Sequence, residues 1–304
     1  MGSNGSISTL GTRMMPFLAI LRHDLRGLGA SWLVRLWLAA TTLLTLFMTL
    51  TQWQATPSAV LIASLLFPYL VFPWFFVVIV LGVGPVSGSR SESLADGILS
   101  RPVARHEYLL ASWLSRVVLV LGIYLTVVVP AILLLVLANR PAPDDTVTVY
   151  GILAALGAAA LVMTLQVSLG FLLGTLLRKP LLAVVVLIFI WYPINLVLHT
   201  FSLEEFSPIS LNQALPTLLR QPWRQSEQDP RQTNPDEEPV GWLGQTGHFL
   251  ETFAPVPEKP AQDPTFYDRG DFGDFSLLRV VLGYGIPTLT AVALATLCFC
   301  RRDL

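Results

Sequence analysis

Polar residues inside long apolar stretches are the first candidates for chemistry in this sequence. Thr41, Thr45 and Thr49 recur every four residues in one stretch, and Gln166 and Asn195 interrupt two later ones. A polar group within a membrane is a functional candidate by default, although a threonine can also bond to the preceding helical turn. Helix packing is the favoured interpretation of these five residues, and contact with a transported substrate is the alternative.

Residues that could form a catalytic or metal site do not cluster along the chain. His106 and Glu107 lack a zinc-protease motif, because Leu110 stands where the second histidine is needed. Cys298 and Cys300 are two residues apart, so on a helix they point to different faces, and no third ligand accompanies them. We therefore expect no catalytic residue and no metal site.

Nucleotide and nucleic-acid binding are also not expected of this chain. Lys179 has Gly174 five residues upstream, but no glycine directly precedes it and no Ser or Thr follows, so a phosphate-binding loop is absent from the sequence. The formal charge is −1, from 19 basic and 20 acidic residues, which gives no basic field for nucleic acid. The sequence therefore does not indicate that this chain binds a nucleotide or a nucleic acid.

The composition is typical of a membrane protein. Hydrophobic residues make up 53% and charged residues 13%, where about 25% charged is usual for soluble domains. This excludes a soluble enzyme, a disordered chain and a disulfide scaffold.

A hydrocarbon core requires about 20 helical residues. Six stretches are long enough: 32–50, 59–83, 113–138, 150–177, 181–198 and 277–300. The sequence predicts an all-α membrane protein with six transmembrane helices.

Several residues within these stretches predict details of the helices. Arg116 lies near the start of the third stretch, and we expect it to extend toward the headgroups, because a guanidinium at the bilayer centre costs about 2.5–3.5 kcal/mol. Pro68 and Pro73 are expected to bend the second helix. Gly170 and Gly174 form a small-xxx-small pair, for which packing within the chain is favoured over a dimer contact.

The basic residues outside the stretches predict the orientation. One side would carry Arg13, Arg22, Arg26, Arg90, Arg101, Arg105, Arg178, Lys179, Arg301 and Arg302. The two short loops on the other side carry only Arg140. By the positive-inside rule, both termini are expected in the cytoplasm of a cytoplasmic (inner) membrane. The long segment 201–275 then lies outside.

Two further segments are amphipathic. Residues 15–29 place leucines on one helical face and Arg22, His23 and Arg26 on another, which predicts an interfacial helix; an extension of the first span is the alternative. Residues 203–219 carry spaced apolar residues that could lie on the outer membrane surface.

The segment between the second and third spans, residues 87–116, is amphipathic rather than random. Ile98 and Leu99 are apolar anchors, Glu92 and Asp96 supply charge, and Pro102 closes the segment. A short helix of this kind can dock rigidly onto a soluble partner. The alternative is a solvated connector.

The string ADGILSRPVARHEYLLASWLSR, residues 95–116, resembles the ABC-2 type permease family. In that family a Glu-Gly-hydrophobic pattern leads into Ser-x-Pro-Val-Ser-Arg and then a helix. The string LAILRHDLRGL, residues 18–28, is similar to the family's N-terminal elbow helix, and the ending FCRRDL is similar to the family's ending. The sequence differs from the family pattern at Ala104 and Ser112.

The resemblance implies a permease subunit of an ATP-driven transporter, an exporter in which two permeases pair with two ATP-binding subunits. It makes residues 89–105 the coupling region, in a groove of the ATP-binding subunit. Its contact residues would be Glu92, Asp96, Gly97, Ile98, Leu99, Ser100, Pro102 and Arg105. ATP and Mg²⁺ would bind to that partner, and this chain would not be an enzyme.

A different class of function remains open. A non-transporting membrane anchor could use the acidic segment 201–275, with thirteen acids against five basic residues, to bind or mature an extracytoplasmic protein. A membrane-embedded hydrolase is poorly supported, because the spans hold no paired carboxylates and no nucleophile with a base. The transported substrate stays open.

Overall fold

The computed structural model describes residues 5–91, 105–138, 147–177, 179–200, 206–220 and 276–301. Helix accounts for 91% of these residues, and none of them lies in a β-strand. The helices are α1 (Gly5–Ala30), α2 (Trp32–Thr51), α3 (Ser58–Leu70), α4 (Trp74–Ser91), α5 (Arg105–Leu137), α6 (Val149–Leu176), α7 (Pro180–Thr200), α8 (Pro208–Arg220) and α9 (Leu277–Arg301).

Among the described residues, six helical stretches are long and apolar enough to cross a membrane. They are Trp32–Thr51, Ser58–Gly84, His106–Leu137, Val149–Leu176, Pro180–Leu198 and Leu277–Arg301. For the part of the chain that the structure describes, the prediction of an all-α fold with six candidate spans is confirmed. The second span consists of α3 and α4 in succession, and α5 starts eight residues before the predicted start of the third span.

A break at Ser31 separates α1 from α2. Ser31 has extended backbone angles of φ −67° and ψ 143°, and its side chain accepts a hydrogen bond from the Val34 N–H at 3.3 Å. This is the geometry of an N-cap, in which a serine oxygen satisfies one of the free N–H groups of the first turn. Helix α1 begins at Gly5, ten residues before the predicted start, and it packs along α5.

Helix α6 lies at the centre of the bundle and packs closely against α4 and α9. Its glycines permit this approach to α4. A Cβ atom added at Gly174 would lie 2.5 Å from the Val83 carbonyl oxygen, and one at Gly170 would lie 3.0 Å from the Ile79 oxygen. The expectation that this glycine pair serves packing within the chain is confirmed.

Helix α8 lies inside the bundle, so the prediction of a surface position is wrong for residues 208–219, the part of the predicted segment that belongs to α8. It packs against α3 and α6. Leu211, Leu215 and Leu218 have no exposed surface. The reason is a close contact at the start of α6: the N–H of Thr148 donates to the Leu219 carbonyl oxygen at 2.9 Å. A Cβ atom at Gly151 would lie 2.5 Å from the same oxygen, so only glycine fits there.

Candidate functional site

The predicted coupling region falls largely outside the described residues. Those outside are Glu92, Asp96, Gly97, Ile98, Leu99, Ser100 and Pro102. Arg105 is the first residue of α5, and its side chain is also outside the description. Helix α4 ends at Ser91 and α5 begins at Arg105, so thirteen residues join the two helices. We call the region where α4 ends, at Ser91, and α5 begins, at Arg105, the α4–α5 end.

A buried arginine connects α5 to α4 near this end. Pro85 lies within α4 and has no N–H, so it cannot donate to the carbonyl of Leu81, four residues earlier. The Nη1 atom of Arg116, on α5, donates to that Leu81 oxygen at 2.7 Å. A charged donor forms a stronger hydrogen bond than a neutral one. The guanidinium therefore replaces the donor that the proline removes.

The prediction that Arg116 extends toward the headgroups is wrong. Its side chain is only 7% exposed, between α4 and α5. A backbone carbonyl without a helical donor lies within reach, so Arg116 bonds to it instead of extending to the membrane surface.

The second span is interrupted rather than merely bent. Helix α3 ends at Leu70 and α4 begins at Trp74, so the prolines in this region end one helix and start another. Side chains of two other helices bond to the carbonyls at the break. The Nε2 atom of Gln166 donates to the Leu70 oxygen at 3.3 Å, and the hydroxyl of Tyr192 donates to the Val71 oxygen at 3.4 Å.

The threonine repeat of α2 faces other helices of the same chain. Thr41, Thr45 and Thr49 are 0%, 8% and 7% exposed. The Thr41 hydroxyl donates to the Leu38 oxygen at 2.9 Å, and the Thr49 hydroxyl donates to the Thr45 oxygen at 2.7 Å. The hydroxyl of Tyr69, on α3, lies beside those of Thr41 and Thr45. This stripe is the inward face of α2.

Asn195 has a comparable position in α7. It is 4% exposed, and its Nδ2 atom donates to the Trp191 oxygen one turn earlier, at 2.8 Å. The Ser207 hydroxyl donates to the Asn195 carbonyl oxygen at 3.5 Å and so links α7 to the residue before α8. Gln166 has no exposed surface at all. Contact of these polar residues with a transported substrate stays the alternative to helix packing.

Sequence reasoning missed the bond between Arg116 and Leu81, although a signal for it was present. A proline in a helix always leaves the carbonyl four residues earlier without its usual donor, and Pro85 identifies that carbonyl as Leu81. An arginine in the following span is then a natural donor. The carbonyl four residues before a helical proline is therefore a candidate partner for an arginine within a membrane span.

Within the described ranges, no group of three or more His, Cys, Asp or Glu residues could hold a metal ion. Cys298 and Cys300 are both free, the first half-buried and the second exposed.

No protein-family model matches this sequence, and no curated protein matches it.

Proposed function

We propose that this chain is the permease subunit of an ATP-driven exporter of the ABC-2 type, in the cytoplasmic membrane. The resemblance of residues 95–116 to that family carries the proposal, and the six candidate spans support it. Two copies pair with two ATP-binding subunits, which hold ATP and Mg²⁺. Six spans are few for a complete pathway, and pairing provides twelve.

The helices on either side of the 92–104 segment support a coupling role for it. Helix α4 is in backbone contact with α6 at Gly170 and Gly174. Helix α5 is tied to α4 by the bond from Arg116 to the Leu81 carbonyl. A segment between two firmly packed helices can pass a displacement to the bundle, because neither helix yields independently of its neighbours.

In this mechanism ATP binding closes the two ATP-binding subunits on each other. Their closure moves the coupling regions, residues 89–105, and the movement opens a route between the two permeases. The chain itself supplies the helices and the docking segment, while the partner hydrolyses ATP. The interfacial position of α1 and the cytoplasmic location of both termini belong to the same proposal.

Leu99→Asp is the variant that tests the proposal most directly. If Leu99 docks into an apolar groove, an unpaired carboxylate there costs several kcal/mol of desolvation, so co-purification of the ATP-binding subunit is lost. Arg105→Ala is the matched variant at the rim of the contact, where an exposed ion pair contributes about 0–1 kcal/mol, and assembly survives. Both variants insert into the membrane, since neither position lies in a candidate span.

The membrane-anchor hypothesis predicts the opposite result. An anchor tolerates substitutions at Ile98, Leu99 and Pro102, because nothing docks there. Normal assembly and normal stimulation of ATP hydrolysis in Leu99→Asp would remove this segment from the coupling role. Failure of any ATP-binding subunit to co-purify with the unaltered chain would refute the permease assignment itself.

A further inference from the structure

An open groove lies on the surface of α1, close to the start of the first candidate span. It has a volume of about 410 Å³ and is bordered by three leucines and two arginines: Leu18, Leu21, Leu25, Arg22 and Arg26. The spacing explains this arrangement, because residues three and four apart in a helix share a face. The leucines therefore form one edge of the groove, and the arginines form the other.

The charge of the two arginines is not balanced within the bundle. Arg22 and Arg26 are exposed, and neither forms an ion pair with a residue that the structure describes. Asp24, the one acid in the sequence of α1, is two residues from each of them, and residues two apart do not face each other on a helix. A carboxylate oxygen of Asp24 lies instead 3.7 Å from Nδ1 of His23. The described residues thus leave this edge of the groove without a counter-ion.

The apolar edge of the groove is also incompletely covered. Helix α1 packs along α5, and Leu21 and Leu25 are half-buried. Leu18 is 54% exposed. A ligand that fits this groove is therefore apolar along one edge and negatively charged along the other.

The groove is near the level at which the chain enters the membrane. The first candidate span begins at Trp32, directly after the break at Ser31. Arg26 is six residues before Trp32, roughly 9 Å at the helical rise of 1.5 Å per residue. The side chain of Trp32 is 77% exposed, and exposed tryptophans of membrane proteins are enriched at the level of the headgroups. Arg22 and Arg26 are therefore within reach of lipid headgroups.

We propose that this groove binds an anionic phospholipid, with the phosphate between Arg22 and Arg26 and an acyl chain along the three leucines. A guanidinium bonds to phosphate oxygens through its planar fork, and two guanidiniums one helical turn apart can share a single phosphate. A zwitterionic lipid fits less well, because its own ammonium group is attracted to the same phosphate. The site requires only that the chain lies in a membrane, so it does not depend on a transport function.

The first experiment measures lipid binding by native mass spectrometry. The full chain in detergent micelles is titrated separately with phosphatidylglycerol and with phosphatidylcholine. A basic residue near an anionic headgroup contributes about a factor of five in affinity, so two arginines should favour phosphatidylglycerol by at least about tenfold. Arg22→Gln and Arg26→Gln should each weaken its binding about fivefold and leave the binding of phosphatidylcholine unchanged.

Two controls make this result specific. Arg301→Gln removes an exposed arginine at the end of another candidate span, so it should keep the affinity for phosphatidylglycerol. Inorganic phosphate in large excess should not displace the lipid, because it has no acyl chain for the leucine edge. Displacement by phosphate, equal affinity for the two lipids, or equal losses in Arg301→Gln and Arg26→Gln would each overturn the proposal.

The second experiment locates the lipid in a bilayer. In a Cys298→Ser and Cys300→Ser background, a fluorophore is attached either to Leu18→Cys in the groove or to Leu289→Cys, an exposed position on α9. Nanodiscs contain equal amounts of the two lipids, and one lipid at a time carries a spin label on its acyl chains.

At Leu18→Cys, spin-labelled phosphatidylglycerol should quench the fluorescence about twofold or more over spin-labelled phosphatidylcholine, because the groove enriches the anionic lipid there. At Leu289→Cys the two should quench equally. Arg22→Gln together with Arg26→Gln should abolish the difference in the groove. Equal quenching by the two lipids at Leu18→Cys would refute the proposal.

The complex with an ATP-binding subunit distinguishes a lipid from an acidic protein surface. If Arg22→Gln and Arg26→Gln release that subunit, while both lipids bind the isolated chain equally, the arginines face a protein and the lipid site is wrong. If no ATP-binding subunit co-purifies with the unaltered chain, the proposed function fails, and the lipid measurements still decide whether the groove binds an anionic phospholipid.

Discussion

Pro85 and Arg116 should be thermodynamically coupled, and a double-mutant cycle can measure the coupling. With Pro85 in place, Arg116→Met leaves the Leu81 carbonyl buried without a donor. In a Pro85→Ala background, the alanine N–H restores the ordinary helical bond to that carbonyl. The loss of Arg116 should therefore destabilise the unaltered chain more than it destabilises the Pro85→Ala variant.

The size of the difference follows from the bond that is lost. A buried carbonyl left without its donor costs about 1–3 kcal/mol, and a bond from a charged donor contributes about 1.5–3 kcal/mol. The cost of burying the guanidinium is the same in both backgrounds, so it cancels from the cycle. We expect a coupling energy of about 1–3 kcal/mol, which corresponds to roughly a 5- to 150-fold change in the unfolding constant.

Reversible unfolding by SDS in mixed micelles, followed by the fluorescence of the eight tryptophans, provides the free energies. Pro130→Ala is the control, because Pro130 lies in α5 fourteen residues beyond Arg116, roughly 21 Å away along the helix. It should show no coupling to Arg116→Met. Additive effects of Pro85→Ala and Arg116→Met would refute the reasoning, since Arg116 would then not be replacing the missing donor.

Three further predictions concern packing. In the same unfolding assay, Gly174→Val should destabilise the bundle by about 1–3 kcal/mol or more, because the new Cβ would meet a backbone carbonyl of α4. Gly157→Ala should be tolerated, because the space around the Gly157 Cα is open. Gln166→Leu should cost about 1–3 kcal/mol by leaving a carbonyl at the break in the second span without its side-chain donor, and an unchanged SDS midpoint would contradict that role. In membranes, Leu215→Cys should resist a water-soluble maleimide while Thr217→Cys reacts, and equal labelling would show that α8 lies on the surface.

The number and type of the helices could be predicted from the sequence. A hydrocarbon environment leaves each backbone group to be satisfied within its own segment, so stretches of about 20 apolar residues must form helices. The same reasoning placed the threonine stripe of α2 and the glycine pair of α6 in packing positions. Local chemistry also predicted a bend at Pro68 and Pro73, whereas in the structure one helix ends there and another begins.

The partners of the buried polar groups could not be predicted in the same way. Spacing along the chain shows that Arg116 and Gln166 lie in apolar stretches, but it does not show which helix lies beside each of them. Amphipathic spacing also favoured a surface position for residues 203–219, because an apolar face can pack on lipid or on protein with similar gain.

Only the tertiary structure decided these contacts. Gly151 lets α8 reach the start of α6, and Gly174 lets α4 reach the other end of α6. These two backbone contacts bring α8 and α4 against α6. The apolar lengths of the sequence determined that the chain forms membrane-spanning helices, while close packing between helices determined that Arg116 bonds to the Leu81 carbonyl instead of reaching a headgroup.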